Sequence, residues 1–413
     1  MCFDSEQAIL ALSKNWFFQA GCGSTSIKSK KISYTFSAEG WKASYVSDFL
    51  EVAGSWPVAA ENQMLSAPFL AAQAGSLPAS LRPRFLVLED GQGPAVWASL
   101  QVVSFNAAEN IRETAVWEGI SGYLRKQVAR LGNFKLLICG NLFSVGENGW
   151  MVRADLATDN AFFKVFTYFL KQAARCEGVQ VLVFKDFAQE LPALQATGFH
   201  PLSFQPNMVL PLDNAWKTAD DYLEAMTSKY RVRARRAFRK ADDLEFRELS
   251  LPEIEWNAHQ LAELYQEVVL SSGFSLATAG ADYFPGLKAA LGSAYRVVGV
   301  YRAGELIAFY STIHNGKRLE AHFIGFRQVC NKDCQLYLNM LYRMVSDGIR
   351  MRVSEIIFAR TALEIKSSVG AVARPAHVYM AHISPVLNRF LPWAVRWLEP
   401  REVWTPRHPF HVD

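Results

Sequence analysis

The sequence predicts an α/β protein of two tandem units, each a mixed, largely antiparallel central sheet flanked by helices. Three observations predict it. The 413 residues exceed what one core usually holds, so two domains are expected. Hydrophobic residues make up 50% and charged residues 20%, the balance of a packed globular chain rather than a disordered one. Finally, one order of elements (hairpin, strand, helix, strand) occurs twice along the chain.

In the first half, Arg84–Glu89 and Pro94–Val103 are apolar runs joined by Asp90-Gly91-Gln92-Gly93, a hairpin signal. A strand follows at Phe134–Cys139. An amphipathic helix from about Asn160 to Cys176 carries Phe162, Phe163, Phe166, Phe169, Leu170 and Ala173 on one face. The strand Gln180–Lys185 completes the unit. In the second half, Tyr295–Arg302 and Glu305–Ile313 pair across Ala303-Gly304, and Asn315-Gly316 turns the chain into Arg318–Phe326. A helix from about Gln335 to Asp347 and the β-branched run Val353–Ile357 close the series. Residues 1 to about 30 read as a poorly specified tail. The expected domains are then 31–212 and 213–413, with the extended Gln205–Leu212 leading into the linker.

A net charge of +4 and a pI near 8.6 permit a phosphate-bearing ligand or an anionic membrane and demand neither. The six cysteines are scattered and include no CxxC. Cys330 and Cys334, near His314 and His322, lack the spacing of a common zinc module, so no metal is expected. No basic segment feeding an apolar run opens the chain, and no run of about 18 apolar residues occurs. A cytoplasmic protein is expected, with peripheral contact at the inner face of the membrane as the only membrane role left open.

Two segments carry chemistry. The first is Phe358–Ala371, FARTALEIKSSVGA, in which Arg360, Thr361, Glu364, Lys366, Ser367 and Ser368 crowd the end of a buried strand. Unpaired buried polar groups are costly, so such a cluster is either an ion-paired loop or a site. The second is Tyr222–Leu244, where Lys229, Arg231, Arg233, Arg235, Arg236, Arg239 and Lys240 succeed one another with no acid between them. Seven like charges on one predicted helix favour an anionic ligand such as CoA, a nucleotide or tRNA. Glu320 and His322 share a strand face, and imidazole titrates near neutrality, which makes His322 a candidate base. His377 and His382 rank below it. The aromatic and basic stretch Ile383–Leu398, with Arg389, Phe390, Trp393, Arg396 and Trp397, is read as packing on the second domain or as a membrane-surface segment.

The repeated order of elements is that of the GNAT acyltransferase fold. SKYRVRARRAFRKA together with ARTALEIKSSVGA, and more weakly CGNLFSVGENG, resembles the FemAB-like branch of that superfamily, tandem-GNAT proteins often described as peptidoglycan biosynthesis proteins. The resemblance covers most of the chain from about residue 60. The usual glycine-rich pyrophosphate signature is missing; the second-half junction reads RQVCNKDCQLYL. What the resemblance implies is N-acyl transfer from an activated donor to an amine, with no tightly bound cofactor and with a CoA thioester or aminoacyl-tRNA as co-substrate. Glu364 or His322 is the expected base, with Lys366 or Ser367 assisting the oxyanion. Arg360, Arg235, Arg236 and Arg239 are expected on donor phosphates or an acidic acceptor, and Thr361, Ser367, Ser368 and Glu320 on substrate. The favoured substrates are a long-chain acyl thioester and a lipid amine. The alternatives are an aminoacyl-tRNA-dependent FemAB-like enzyme acting on a peptidoglycan precursor, and a non-catalytic GNAT-like binding protein. No heptad arm for tRNA and no sequence-specific nucleic-acid contact are expected.

Overall fold

The computed structural model describes residues 31–59, 62–106, 133–156, 162–203, 205–271, 277–398 and 404–411. The N-terminal tail expected over residues 1 to 30 lies outside them. Sixteen strands form two sheets among the described residues. In the first, β1 (Ser33–Ala38), β2 (Trp41–Val46), β3 (Leu81–Asp90), β4 (Gly93–Asn106) and β5 (Asn133–Cys139) run antiparallel in sequence order. The short β6 (Trp150–Val152) pairs with β4, and β7 (Val181–Phe187) joins β5 in parallel. Next to β7 comes β16 (His377–His382), then β8 (His200–Ser203) at the edge.

The second sheet repeats the plan. The strands β10 (Leu244–Glu248), β11 (Tyr295–Arg302), β12 (Glu305–Asn315) and β13 (Arg318–Phe326) run antiparallel, and β14 (Glu355–Ala359) joins β13 in parallel. Beside β14 lies β9 (Asn207–Pro211), followed by β15 (Val372–Arg374). The two sheets therefore exchange strands: β9, from the first half, completes the second sheet, and β16, from the second half, completes the first. A cut at residue 212 would leave β9 and β16 each on the far side from the sheet that it completes. Pairing partners depend on tertiary contacts that local sequence pattern does not encode.

Packing follows the predicted faces. The helix Phe162–Glu177 buries Phe162, Phe163, Phe166, Phe169 and Leu170 on the outer face of the first sheet, with Phe184 and Leu137. Each such side chain stabilises by about 1.5–3 kcal/mol. Its last residue is fixed by a buried ion pair, Arg84 with Glu177, and Tyr45 donates to the same carboxylate at 2.7 Å. The outer face of the second sheet packs the helices Ser228–Arg239 and Leu336–Arg350, through Ala234, Ala237, Leu341 and Met344. Between the sheets lies a shared core, with Phe49, Phe69 and Phe85 from the first unit against Leu261, Tyr283, Phe309 and Phe323 from the second. The single helix read over 222–244 is two helices, Ala219–Glu224 and Ser228–Arg239, because Met226 leaves the helical path to form a bridge with Phe410. Among the described residues no helix is long and apolar enough to cross a membrane.

Candidate active site

The site forms where β13 and β14 part. The two strands pair only at Arg318–Glu355, Leu319–Ile356 and Glu320–Ile357. Past Glu320 a bulge interrupts the β12–β13 register, spanned by Ser311, whose hydroxyl accepts from the Phe323 N–H at 3.0 Å. The bulge turns His322 and Phe323 toward the same inner face, so both stack near Tyr283, with the His322 and Phe323 rings 4.3 Å apart. Glu320 is buried, accepts from Asn315 Nδ2 at 2.5 Å, and is pushed up to about 7, chiefly by burial. Asn315 Oδ1 in turn accepts from the Gln63 N–H at 2.7 Å, which ties this carboxylate to the first unit.

His322, an expected base, lies beside Tyr283. Burial lowers its imidazole to about 3, and Nε2 lies 3.1 Å from the Tyr283 hydroxyl. A neutral ring that weakly basic orients a neighbour better than it takes a proton.

The segment Phe358–Ala371 serves three places at once. Ala359, Thr361 and Ala362 all adopt left-handed backbone, at φ 61°, 70° and 49°. Non-glycine residues there each cost on the order of 1 kcal/mol or more unless their surroundings hold them. Lys366 does the holding. It is buried, and its ammonium donates to the carbonyls of Arg360 at 2.6 Å and Ala359 at 3.3 Å. Burial lowers Lys366 to about 7. Facing inward, Arg360 pairs with the buried Asp186 of the first unit, which also pairs with Lys185. Facing outward, Glu364 accepts from the Thr405 N–H and the Arg407 guanidinium, each at 3.1 Å. Those two bonds hold its carboxyl below the usual range.

Several expected assignments change accordingly. The hydroxyls of Ser367 and Ser368 are buried and donate to the carbonyls of Glu364 and Ile365, and the Ser367 hydroxyl also accepts from the Arg407 N–H at 3.0 Å. Lys366, expected to assist the oxyanion, donates to the Ala359 and Arg360 carbonyls of its own strand end. Thr361 is exposed. His377 and His382 belong to the first sheet through β16, away from the second-unit strands. The C-terminal helix Pro385–Leu398 packs on β16 and β8, strands of the first sheet, instead of on the second domain. The side chains of Arg396 and Trp397 lie outside the described residues.

A cavity of about 720 Å³ opens on the outer side of the second sheet. Lys229, Arg233 and Arg236 line it from the basic helix, Arg407 and Glu364 from the C-terminal side, and Gln335 from the start of the Leu336–Arg350 helix. Four cations against one carboxylate, beside the N-terminus of a 15-residue helix, suit a phosphate-bearing ligand. Of the predicted arginines only Arg236 lines it; Arg235 and Arg239 are exposed elsewhere on the helix. Lys229, Arg233 and Arg407 replace them. Among the described residues no group of three or more His, Cys, Asp and Glu side chains is placed to hold a metal ion.

An antiparallel run of strands whose last member pairs in parallel with the next strand, through a helix between the two, defines one architecture, here present twice. The chain has a tandem GNAT fold. No protein-family model and no curated protein matches its sequence. Among solved structures, the tandem GNAT fold here is similar to FemX at 11% identity and a TM-score of 0.49, over 80% of this chain and 94% of that one. It is similar to the C-terminal domain of a putative lysylphosphatidylglycerol synthetase from Agrobacterium fabrum, at 12% identity and a TM-score of 0.48, over 85% and 97% of the two chains. A tandem GNAT protein from the clavulanic acid biosynthesis pathway is similar at 12% identity and a TM-score of 0.46, over 81% and 92%.

Proposed function

We propose that the protein is an N-acyltransferase that moves an acyl group from a phosphopantetheine thioester to an amine, with its chemistry in the second unit. One observation carries this reading. A cation-lined cavity lies between the basic helix, the start of the helix Leu336–Arg350 and the turn after β14, and a buried carboxylate with a raised pKa, Glu320, stands in the last residue pair that joins β13 to β14. The donor phosphates sit against Lys229, Arg233, Arg236 and Arg407, and the thioester reaches between the strands. Glu320, rather than Glu364 or His322, takes the proton from the amine. The nitrogen attacks the thioester carbonyl, the C–S bond breaks, the thiolate leaves and picks up a proton, and an amide remains. Backbone N–H groups of β13 beyond Glu320, which have no partner in β14, support the oxyanion.

A lipid amine is the favoured acceptor. The helix Pro385–Leu398 contains no acid and exposes Val386 (69%), Leu387 (53%), Phe390 (60%) and Trp393 (69%), with Arg389 also exposed. Such a face suits contact with an anionic bilayer. Flotation with phosphatidylglycerol vesicles should carry the protein up, and Phe390→Asp should release it; wild-type protein left at the bottom would remove the membrane part of the reading.

The donor is tested by native mass spectrometry with CoA, acetyl-CoA and thioesters of increasing length. Each buried methylene adds up to about 0.8 kcal/mol, so affinity should climb with chain length. Indifference to every thioester would sink the proposal.

A further inference from the structure

The cavity uses one face of the basic helix and leaves another unexplained. Lys229, Arg233 and Arg236, at i, i+4 and i+7, line the cavity. Arg231, Arg235, Arg239 and Lys240 do not, and the last three are exposed. Among the described residues, no salt bridge is made by any of the seven cations from Lys229 to Lys240. Asp243, just past the helix, is taken by Arg302 instead. An unneutralised ridge repels itself and lowers the stability of the helix that carries it, so a counter-charge from outside is the physical expectation. A single small donor in the cavity leaves the outward cations uncompensated.

We propose that this outward face, Arg231, Arg235 and Arg239 with the half-exposed Val232 at the cavity rim, docks a small acidic carrier protein that delivers the thioester on its phosphopantetheine arm. The inference rests on the thioester reading above and names the form of its donor. Val232 is 49% exposed and also lines the cavity, so an apolar contact stands where a tethered arm would enter. The charge balance of the rest of the chain selects a small acidic protein over RNA. The chain's formal charge is +4, and without these seven cations it is −3. A long polyanion reaching beyond the helix would therefore meet a surface with no positive excess, whereas a compact acidic patch needs only the helix.

The experiment compares two donors with the same acyl chain on wild-type protein and on the double variant Arg235→Glu/Arg239→Glu. Hexadecanoyl-CoA and a hexadecanoylated, acidic bacterial acyl carrier protein serve as probes, with affinities measured by calorimetry at two salt concentrations. The expected result is salt-sensitive carrier binding that falls at least ten-fold in the variant, while hexadecanoyl-CoA binding stays within two-fold. The unchanged CoA affinity shows that the variant is folded. Equal carrier affinity in both proteins, or CoA binding with no carrier binding, would overturn the docking face while leaving the thioester reading intact. Binding of neither donor would reject both. A gel-shift series with total bacterial tRNA supplies the remaining arm: RNA binding lost in the variant, with carrier binding unaffected, would assign the ridge to RNA and end the proposal.

Discussion

The two parallel strand pairs, β5 with β7 and β13 with β14, hold equivalent places in their sheets but end in opposite ways. In the first unit, four residue pairs join the strands, Leu136–Val181 to Cys139–Phe184. Beyond them, Lys185 reaches back across the mouth and donates to the carbonyls of Asn141 and Ser144, at 3.0 and 2.7 Å. Gly140 makes room for that lysine, since a Cβ there would lie 2.6 Å from Lys185 Cγ. In the second unit only three pairs join the strands. There the buried lysine, Lys366, donates to carbonyls of its own strand end, Ala359 and Arg360, and leaves the β13 edge unpartnered by β14. One lysine stitches two strands together; the other braces a single strand and lets them part. The same fold therefore yields a sealed unit and an open one, and the difference lies in which segment each ammonium binds, the loop after β5 or its own strand end.

The largest expected effect falls on the open unit. Glu320→Gln keeps an acceptor for Asn315 but removes the base. It should lower kcat by about 10²- to 10⁴-fold while leaving thioester affinity unchanged. Burial holds the wild-type carboxyl protonated up to about 7, and only the deprotonated form accepts the amine's proton. The wild-type kcat/KM should therefore rise with pH through that value and then level, and the variant should lose that limb. A rate profile in Glu320→Gln that matches wild type would remove the functional half of the comparison.

The sealed unit answers to stability instead. Gly140→Ala places a side chain at φ +130° and against Lys185, so it should cost about 1–3 kcal/mol in urea unfolding. Thioester affinity should not move. A loss of affinity as large as the loss of stability would mean that the first mouth also takes donor, and that the two units differ less than their lysines suggest.

Much of this contrast was legible in the sequence, and some could not be. Hairpins, strands and helices came through because periods of 2 and 3.6 residues are local. The helix face of Lys229, Arg233 and Arg236 is equally local, and separating it by its i, i+4, i+7 spacing from Arg235 and Arg239 would have picked the cavity side. Arg407 carries no such signal, because it reaches Glu364 from 43 residues away. Polarity at the end of β14 marked the segment but could not say what each side chain bonds to. Lys366, Ser367 and Ser368 answer local carbonyls, a demand created by the left-handed turn and visible only in the folded backbone. Glu320 and His322 were singled out together. Their ranking depends on burial, which raises one group toward neutrality and drives the other far below it.

The smallest effect tests Glu364, one of the two bases that sequence reasoning expected. Glu364 sits at the cavity with its charge already held by the Thr405 amide and Arg407, and both partners favour the ionised form. A carboxylate stabilised in that way is a poor acceptor for an amine proton near neutral pH. Its work is to hold Arg407, a lining cation, in place, and the pair is half-exposed, where such bonds contribute about 1 kcal/mol or less. Glu364→Gln should therefore raise the donor KM by no more than about five-fold and leave kcat and its pH dependence unchanged. The split between KM and kcat is the reading that matters: a kcat loss in Glu364→Gln comparable to that of Glu320→Gln would move the base to the outer face of the sheet and reverse the direction from which amine and thioester meet.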